Sequence, residues 1–506
     1  MRINISGLKN VSYYTGNTML IFTGLFLLPI LIAIGYQDWN SFLEFSIAMS
    51  ISIIISVSMV LYGDKVNRGL EGLSWRHGLV VASLTWVLLT LVSAIPFLLS
   101  GHSLSYLDAI FDVMSGFTTT GVFLLQDLDH ISQALNFWRH LLTFVGGQGM
   151  IVLAISFFVK EIGSAYKFYV GEGKDIALTP NVKGTAQWIW KISLIYLLIG
   201  TVLLWFQGMR IGLNPVNSFF HGLYIFEAAW STGGFAPNYQ NILFYHDFLY
   251  ESIGLVFFVI GSFNFGLHFA LIQGNYSEFR KNIEVVSFFV SSFILSVLAV
   301  FYLNNTGMYT NAISLFRRVV YNLLSAHTTT GFGSIYAQQF ASDWGGLGIT
   351  VMVIAMLIGG SACSTAGGIK GLRVGIIFKG IYEDIIKLMK GDKTMRVVKY
   401  HHIKDHILDD TTFRSSASIA LLYIVMFTIG VILTTLAGYS MLESAFEVAS
   451  VSGNVGLSIG ITQATMPAYL KVYYILAMYL GRLEFISIFV LIGLFVKGVR
   501  KWFRQY

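Results

Sequence analysis

The sequence is poorest in charge and in cysteine. Asp, Glu, Lys and Arg make up 11% of its 506 residues, where soluble globular domains carry roughly 25%. So little charge cannot cover the outside of a water-soluble protein of this length. With 55% of residues hydrophobic, the surrounding solvent must be lipid. A single cysteine, Cys363, excludes an intramolecular disulfide and any site built from several thiolates. No Walker loop, dinucleotide fingerprint or serine-hydrolase elbow occurs, which argues against ATP coupling within the chain and against an organic cofactor. The formal net charge of +6 does not point to nucleic acid, because the basic residues stand in short clusters between apolar runs.

What is present is a series of apolar stretches of about 17 to 25 residues, the length that a bilayer core asks of a helix. Ten are read, approximately 18–36, 42–62, 78–99, 141–159, 188–206, 253–272, 285–303, 347–378 (interrupted), 417–437 and 472–496. No small-residue cleavage site follows the first, which is therefore read as a retained helix. The basic clusters are Lys65, Arg68 and Arg76; Lys160, Lys167, Lys174, Lys183 and Lys191; Arg280 and Lys281; Lys379 to Arg414; and Lys497 to Arg504. They fall on alternate sides of successive spans, always on one face, which with both termini is expected to be cytoplasmic. The connections on that face are too short for a separate soluble domain.

Four segments repeat one pattern. They run from Phe111-Asp112 to Gly121, from Phe226-Glu227 to Phe235, from Tyr321-Asn322 to Phe332, and from Phe446-Glu447 to Leu457. Each is a short semi-apolar helix ending in a Thr/Ser/Gly run between two spans, on the face opposite the basic loops. The expected fold is an all-α polytopic membrane protein: two extra N-terminal helices over residues 1–77, then four span/pore-loop/span repeats over 78–190, 191–283, 284–415 and 416–506, with fourfold pseudosymmetry. Backbone that enters a bilayer in non-helical form must line water or be buried in protein. Glycine lets such a loop point successive carbonyls the same way, and four loops can then make a ring of oxygens that replaces a cation's hydration shell. Thr hydroxyls can add a further layer, and the negative C-terminal end of each half-helix favours a cation. Small-residue helix packing is the competing reading of one segment alone; four in matching positions disfavour it.

The runs Ser115-Gly-Phe-Thr-Thr-Thr-Gly121, Ser231-Thr-Gly-Gly-Phe235, His327-Thr-Thr-Thr-Gly-Phe332 and Gly453-Asn-Val-Gly456 resemble the pore loops of the Trk/Ktr/HKT superfamily of potassium transporters. Gly359-Gly-Ser-Ala-Cys-Ser-Thr-Ala-Gly-Gly368 resembles that family's intramembrane gate loop, and the two extra N-terminal spans are similar to the Trk branch. The resemblance implies potassium, as transported ion, entering across the plasma (inner) membrane through a single-subunit pore, in homodimers, under a cytoplasmic ring-forming nucleotide-binding partner. It implies a filter of Thr119, Thr120, Gly121, Thr232, Gly233, Gly234, Thr329, Thr330, Gly331, Asn454, Val455 and Gly456, and a gate loop with Gly359, Gly360, Ser361, Gly367 and Gly368. Within the family a filter glycine in every repeat goes with potassium preference, and serine in the first loop with sodium permeation. This chain has glycine in all four, and departs from the commoner pattern at Asn454-Val455, where a hydroxyl pair is usual.

About 26 to 30 residues beyond each filter glycine stand Gln148, Asn264, the Gly359–Gly368 loop and Arg482. Every repeat breaks its apolar run there, which points to a polar constriction, with Gln148 and Asn264 lining its cavity. An intramembrane guanidinium in a cation path is an electrostatic barrier, so Arg482 and the four-glycine loop are expected to form a gate. Pairing of Arg482 with Glu484, or anchoring on carbonyls, is the alternative. Asp112, Glu227 and Glu447 either attract cations or hold the loops from behind. His401, His402 and His406 lie near Asp405, Asp409 and Asp410, and His402 with His406 has an i,i+4 zinc spacing; a solvated loop or docking surface is the alternative. Other readings remain: an alternating-access secondary transporter of a small solute, which two-fold rather than fourfold repetition would suggest; a sodium-permeable cation symporter; and an intramembrane enzyme, for which Cys363 and Ser364 have no histidine at depth.

Overall fold

The computed structural model describes residues 5–63, 75–125, 127–149, 152, 182–390 and 397–502. Lys65, Arg68, Lys160, Lys167, Lys174 and Arg504, used above to orient the chain, lie outside the described residues. Helix dominates. α1 (Ile5–Thr23), α2 (Leu27–Gly35) and α3 (Trp39–Gly63) precede α4 (Trp75–Ser93), α5 (Ile95–Leu99), α6 (Tyr106–Phe117) and α7 (Gln133–Gln148). Then come α8 (Val182–Arg210), α9 (Pro215–Trp230), α10 (Phe248–Gly261), α11 (Phe265–Ile272), α12 (Ser277–Lys281) and α13 (Ile283–Asn305). After a short helical lead-in follow α14 (Tyr321–His327), α15 (Gly345–Leu357) and α16 (Gly371–Lys390). A hairpin of β1 (Lys399–His402) and β2 (Lys404–Ile407) separates these from α17 (Asp410–Leu436), α18 (Met441–Ser452), α19 (Ala468–Arg482) and α20 (Ile486–Trp502).

Among the described residues six helices are long and apolar enough to cross a membrane, or eight if each of two bent pairs counts as one span. The bent pairs are α10 with α11, turned by 99°, and α19 with the start of α20, turned by 117°. Two of the ten runs expected as spans are therefore sharply broken. A third, 347–378, divides into α15, a loop and α16. Of 141–159, the part beyond Gly149 lies outside the described residues apart from Val152. The spans are inside out relative to a soluble protein: α8 buries Ser193 and Thr201 while Leu198 is 70% exposed, and α13 buries Ser292 while Phe293 is 70% exposed. Lipid tails are as apolar as leucine, so small and polar residues gain most from facing other helices.

Four short helices end inside the protein and begin with a cap. Ser105 accepts from the Asp108 N–H before α6, and Asn214 from that of Asn217 before α9. Asn311 accepts from Ser314 N–H in the lead-in to α14, and Ser440 with Glu443 forms a capping box on α18. Each cap occupies one of the donors that a helix start leaves unpaired. Lys471 of α19 ties to Asp108 of α6 at 2.5 Å, a buried pair joining the C-terminal helices to the first of the short inward helices.

The hairpin is the departure from an all-helical chain. Lys399 pairs with Ile407 and His402 with Lys404, leaving Ile403 at the tip with φ of 61°. His402 and His406 thus lie on two strands rather than one helix turn: His406 stacks on Tyr400 at 5.2 Å, and His402 turns inward. Among the described residues no group of three or more His, Cys, Asp or Glu could hold a metal ion. His401 lies 2.6 Å from Asp405 and 2.9 Å from Glu278 of α12. The Asp405 hydrogen bond is the largest influence raising the His401 value, against partial burial and with help from Glu278. Burial works to raise Glu278, but hydrogen bonds from His401, Asn282 and Ile403 outweigh it and hold the carboxyl low.

A raised histidine value means that this contact stabilises fully below the ordinary value near about 6.5 and is lost as pH rises through the folded value. Amide protection over residues 397–408, corrected for intrinsic exchange, should fall as pH rises above about 6.5, and His401→Ala should flatten that dependence. An unchanged profile in the variant would assign the effect to another group.

Candidate functional site

The four inward helices end in one and the same turn. At the end of α6, Thr119 N–H reaches Gly116 O at 3.0 Å and Thr120 N–H reaches Ser115 O at 2.8 Å. The same pair of bonds recurs at Thr232 and Gly233, at Thr329 and Thr330, and at Asn454 and Val455. This is a Schellman end, which satisfies the last helical carbonyls and puts one residue into the left-handed region. That residue is Thr119 (φ 55°), Thr232 (51°), Thr329 (56°) or Asn454 (56°). A β-branched residue is seldom found there, and the strain is of order 1–3 kcal/mol each, held by surrounding structure.

Two residues later each loop has a glycine at positive φ: Gly121, Gly234, Gly331 and Gly456. These glycines close a ring. A Cβ at Gly121 would strike the carbonyl oxygen of Gly233, one at Gly234 that of Thr330, one at Gly331 that of Val455, and one at Gly456 that of Thr120. The loops therefore meet head to tail in chain order, with the last against the first. Among the described residues the carbonyls of Thr120, Gly233, Thr330 and Val455 accept no hydrogen bond. On one side of the ring a cavity of about 670 Å³ reaches Gly121, Gly331 and Gly456.

On the other side lies the Gly359–Gly368 loop, buried throughout. Its neck is a bridge between Ile358 and Ile369. It touches the left-handed residue of every ring loop. Thr119 Oγ1 donates to Thr365 O at 3.4 Å, Thr232 Oγ1 lies 3.2 Å from Thr365 Oγ1, and Gly367 N–H donates to Thr329 Oγ1 at 2.8 Å. A Cβ on Gly367 would come within 2.7 Å of Asn454 Cβ. The loop also zips onto the broken segment between α10 and α11. Ser361 N–H donates to Ser262 O at 2.9 Å, Asn264 Nδ2 donates to Ala362 O at 2.6 Å, and Phe265 N–H donates to Cys363 O at 3.3 Å.

Arg482, at the end of α19, donates to Thr365 O of that loop and to Gly146 O and Gly147 O at 2.8 and 2.9 Å. It thus joins the loop to the carbonyls left open at the end of α7, where a cation also meets the negative helix end. Glu484 forms an ion pair with Arg373 of α16. Of the two polar residues expected to line a cavity, Gln148 accepts at Oε1 from Ser193 of α8 (2.7 Å), while Asn264 caps α11 and anchors the loop. Both are buried. The expected loop residues, loop glycines and Arg482 are brought together; Gln148 follows Gly147, whose carbonyl Arg482 holds.

Behind the ring, the residue seven before the left-handed position holds the returning segment. Asp112 accepts from Leu124 N–H at 2.6 Å, Asn322 from Ser334 N–H at 3.0 Å, and Glu447 from Ile459 N–H at 2.9 Å and Thr462 N–H at 3.0 Å. The second loop differs. Counted from Thr232, that place belongs to Ile225, not Glu227, and the place matching Leu124, Ser334 and Ile459 is Pro237, which has no N–H to give. Acceptor and donor are missing together. Instead, Asn136 and Arg139 of α7 donate to Pro237 O and Ala236 O, both at 3.4 Å, and the guanidinium sits 4.4 Å from the Phe235 ring centre. The fourth loop's departure also has a structural answer: Asn454 Nδ2 reaches Thr120 Oγ1 at 3.0 Å and Met478 O at 2.9 Å.

Thr365, Glu284, Arg139 and Asn241 were not singled out from the sequence. Thr365 lies inside the recognised loop and could have been flagged by its hydroxyl among small apolar neighbours. Asn241 links the second and third loops, donating to Gly234 O (3.1 Å) and accepting from Gly333 N–H (3.3 Å); nothing in its local sequence marks it.

Replacing Glu447 by Gln removes acceptors from a carboxylate with several donors around it. It should cost about 2–3 kcal/mol of stability, read as a lowered thermal midpoint in detergent. Glu227→Gln, at a carboxylate with no bond to its loop's return segment, should cost under about 1 kcal/mol; equal losses would refute the register argument.

The TrkH family, described as a cation transport protein, matches this chain over residues 43–496. The chain is 26% identical over 502 residues to an uncharacterized cation transporter of Methanocaldococcus jannaschii, covering 99% of this chain and 98% of that one. It is also 26% identical, over 499 and 495 residues, to the Trk system potassium uptake proteins TrkG and TrkH of Escherichia coli. Those matches cover 97% and 96% of this chain and 98% of each relative. The crystal structure of the potassium transporter TrkH from Vibrio parahaemolyticus shares the fold with a TM-score of 0.80 at 24% identity, covering 96% of this chain and 98% of that one. With the family matched across nearly its whole length, the chain belongs to the TrkH family: it is a multi-pass membrane cation transport protein and not an enzyme.

Proposed function

We propose that this protein takes up potassium through a channel-like pore with fourfold pseudosymmetry. The observation that carries the reading is the head-to-tail ring: four carbonyls without hydrogen-bond partners among the described residues, each pressed on the preceding loop's glycine. Such oxygens can replace a cation's hydration shell, and four half-helices turn their negative ends toward it. Potassium is the cargo because the Escherichia coli relatives are named as potassium uptake proteins and all four loops keep their glycine. The cavity beside the ring is the outer mouth. The Gly359–Gly368 loop beneath it is the gate, and Arg482 both pins that loop and sets a positive charge in the path. Uptake needs no hydrolysis, since a potential of about 100 mV, negative inside, is worth about 2.3 kcal/mol for each entering charge.

On the same reading the protein sits in the plasma (inner) membrane with both termini in the cytoplasm. It forms homodimers and answers to a cytoplasmic nucleotide-binding ring partner, as the family resemblance suggests.

Rubidium uptake by purified protein in liposomes, with sodium as competitor, tests this. The unaltered protein should prefer rubidium and potassium over sodium. Gly121→Ser should erode that preference, since its side chain would press on Gly233 O. Arg482→Ala should raise flux severalfold. Equal flux of both ions in the unaltered protein would end the potassium-selective reading, and unchanged flux in Arg482→Ala would end the gate assignment.

A further inference from the structure

Glu284 stands in the first turn of α13 with its side chain 1% exposed. A carboxylate in such a place needs strong partners, and it has three, each on a different segment. Oε1 accepts from Ala362 N–H of the Gly359–Gly368 loop at 2.5 Å. Oε2 lies 3.0 Å from His402 Nε2 of the hairpin and 3.5 Å from Asn264 Nδ2. Asn264 in turn holds Ala362 O. Both backbone groups of Ala362 are therefore gripped, one directly by Glu284 and one by its neighbour.

The hairpin end of this linkage is docked rather than draped. Ile403 N–H donates to Glu278 Oε1 at 3.0 Å, and the Ile403 side chain packs so closely on Gly266, at the start of α11, that a Cβ there would lie 3.0 Å from its Cδ1. Ile403 is β-branched and left-handed, a strained backbone that this docking must hold in place. His402 is 7% exposed although it belongs to a hairpin whose second strand is open to solvent.

We propose that Glu284 is a positioning residue of the gate: it holds Ala362, and with it the Gly359–Gly368 loop, in the closed arrangement, and His402 makes that hold conditional on the docked hairpin. Lifting the hairpin removes His402, leaves Glu284 short of a partner, and loosens the loop. The inference rests on the reading of that loop as a gate.

Cys363, the chain's single cysteine, follows Ala362 and is 5% exposed, so its labelling by a maleimide in the detergent-solubilised full chain reports loop opening. Glu284→Ala and His402→Ala should each speed labelling by about tenfold, the scale of one charge-assisted hydrogen bond, and should raise rubidium flux. The double change should be no faster than Glu284→Ala alone. Glu284→Gln should label more slowly than Glu284→Ala, because its amide oxygen still accepts from Ala362 N–H. His402→Ala alone carries the test should Glu284→Ala not yield folded protein. Unchanged labelling in both single variants, multiplied effects in the double, or no rescue by Gln would each overturn the proposal. Faster labelling with unchanged flux would instead overturn the gate reading and leave Glu284 as a loop anchor.

Discussion

A peptide group that leaves the helix inside a bilayer has no water to turn to, and the centre of this protein is arranged around that constraint. Four helices stop halfway through, and each spends its last carbonyls on the same Schellman turn. The turn forces threonine or asparagine into the left-handed region and delivers a glycine two residues later. Only glycine lets the next loop's carbonyl approach its α-carbon, so the four loops can close on one another. The breaks in the second helices answer the same need. Gly146 O and Gly147 O find Arg482, Ser262 O finds Ser361, and Asn264 caps the helix that restarts.

The loops are alike at the ring and unlike behind it. Three are held by a carboxylate or amide accepting backbone N–H groups, and the second by Arg139 and Asn136 donating to carbonyls. Polarity is reversed, yet the returning segment is fixed in both cases. Below the ring one break differs from the others: between α15 and α16 it is a ten-residue loop that touches all four turns. Four similar turns thus meet one unshared element, and Arg482 of α19 bonds to it and to the end of α7.

The membrane class and the four loops were legible in the sequence because both are written in local composition: low charge, apolar runs, and Thr/Ser/Gly clusters at matching places. The breaks at Gln148, Asn264, Gly359 and Arg482 could be seen as polar interruptions, but not the 99° and 117° bends they produce, since angle depends on what the freed groups bond to. The alignment of Glu227 with Asp112 and Glu447 was misleading. The neighbouring aromatics stand two residues out of step in the second loop, and only the turn's own bonds mark Ile225 as the matching position. The hairpin has no signature in the sequence because a four-residue strand pair within a polar stretch has no periodicity of its own. Glu284 stands at a helix start, where an acidic residue is ordinary, and its three partners come from other segments of the chain.

Asn454 bonds to Thr120 across 334 residues of chain. Loop closure on that scale is slow, and contacts so distant reward the chain only after everything between them has been laid down. During synthesis the first three loops reach the bilayer with one side of their ring missing, and their carbonyls must be sheltered by something other than the fourth. A nascent chain halted after the third repeat would carry an open arc of bare oxygens in the membrane, so membrane insertion and ring assembly are separate events, the second waiting on the last hundred residues or so.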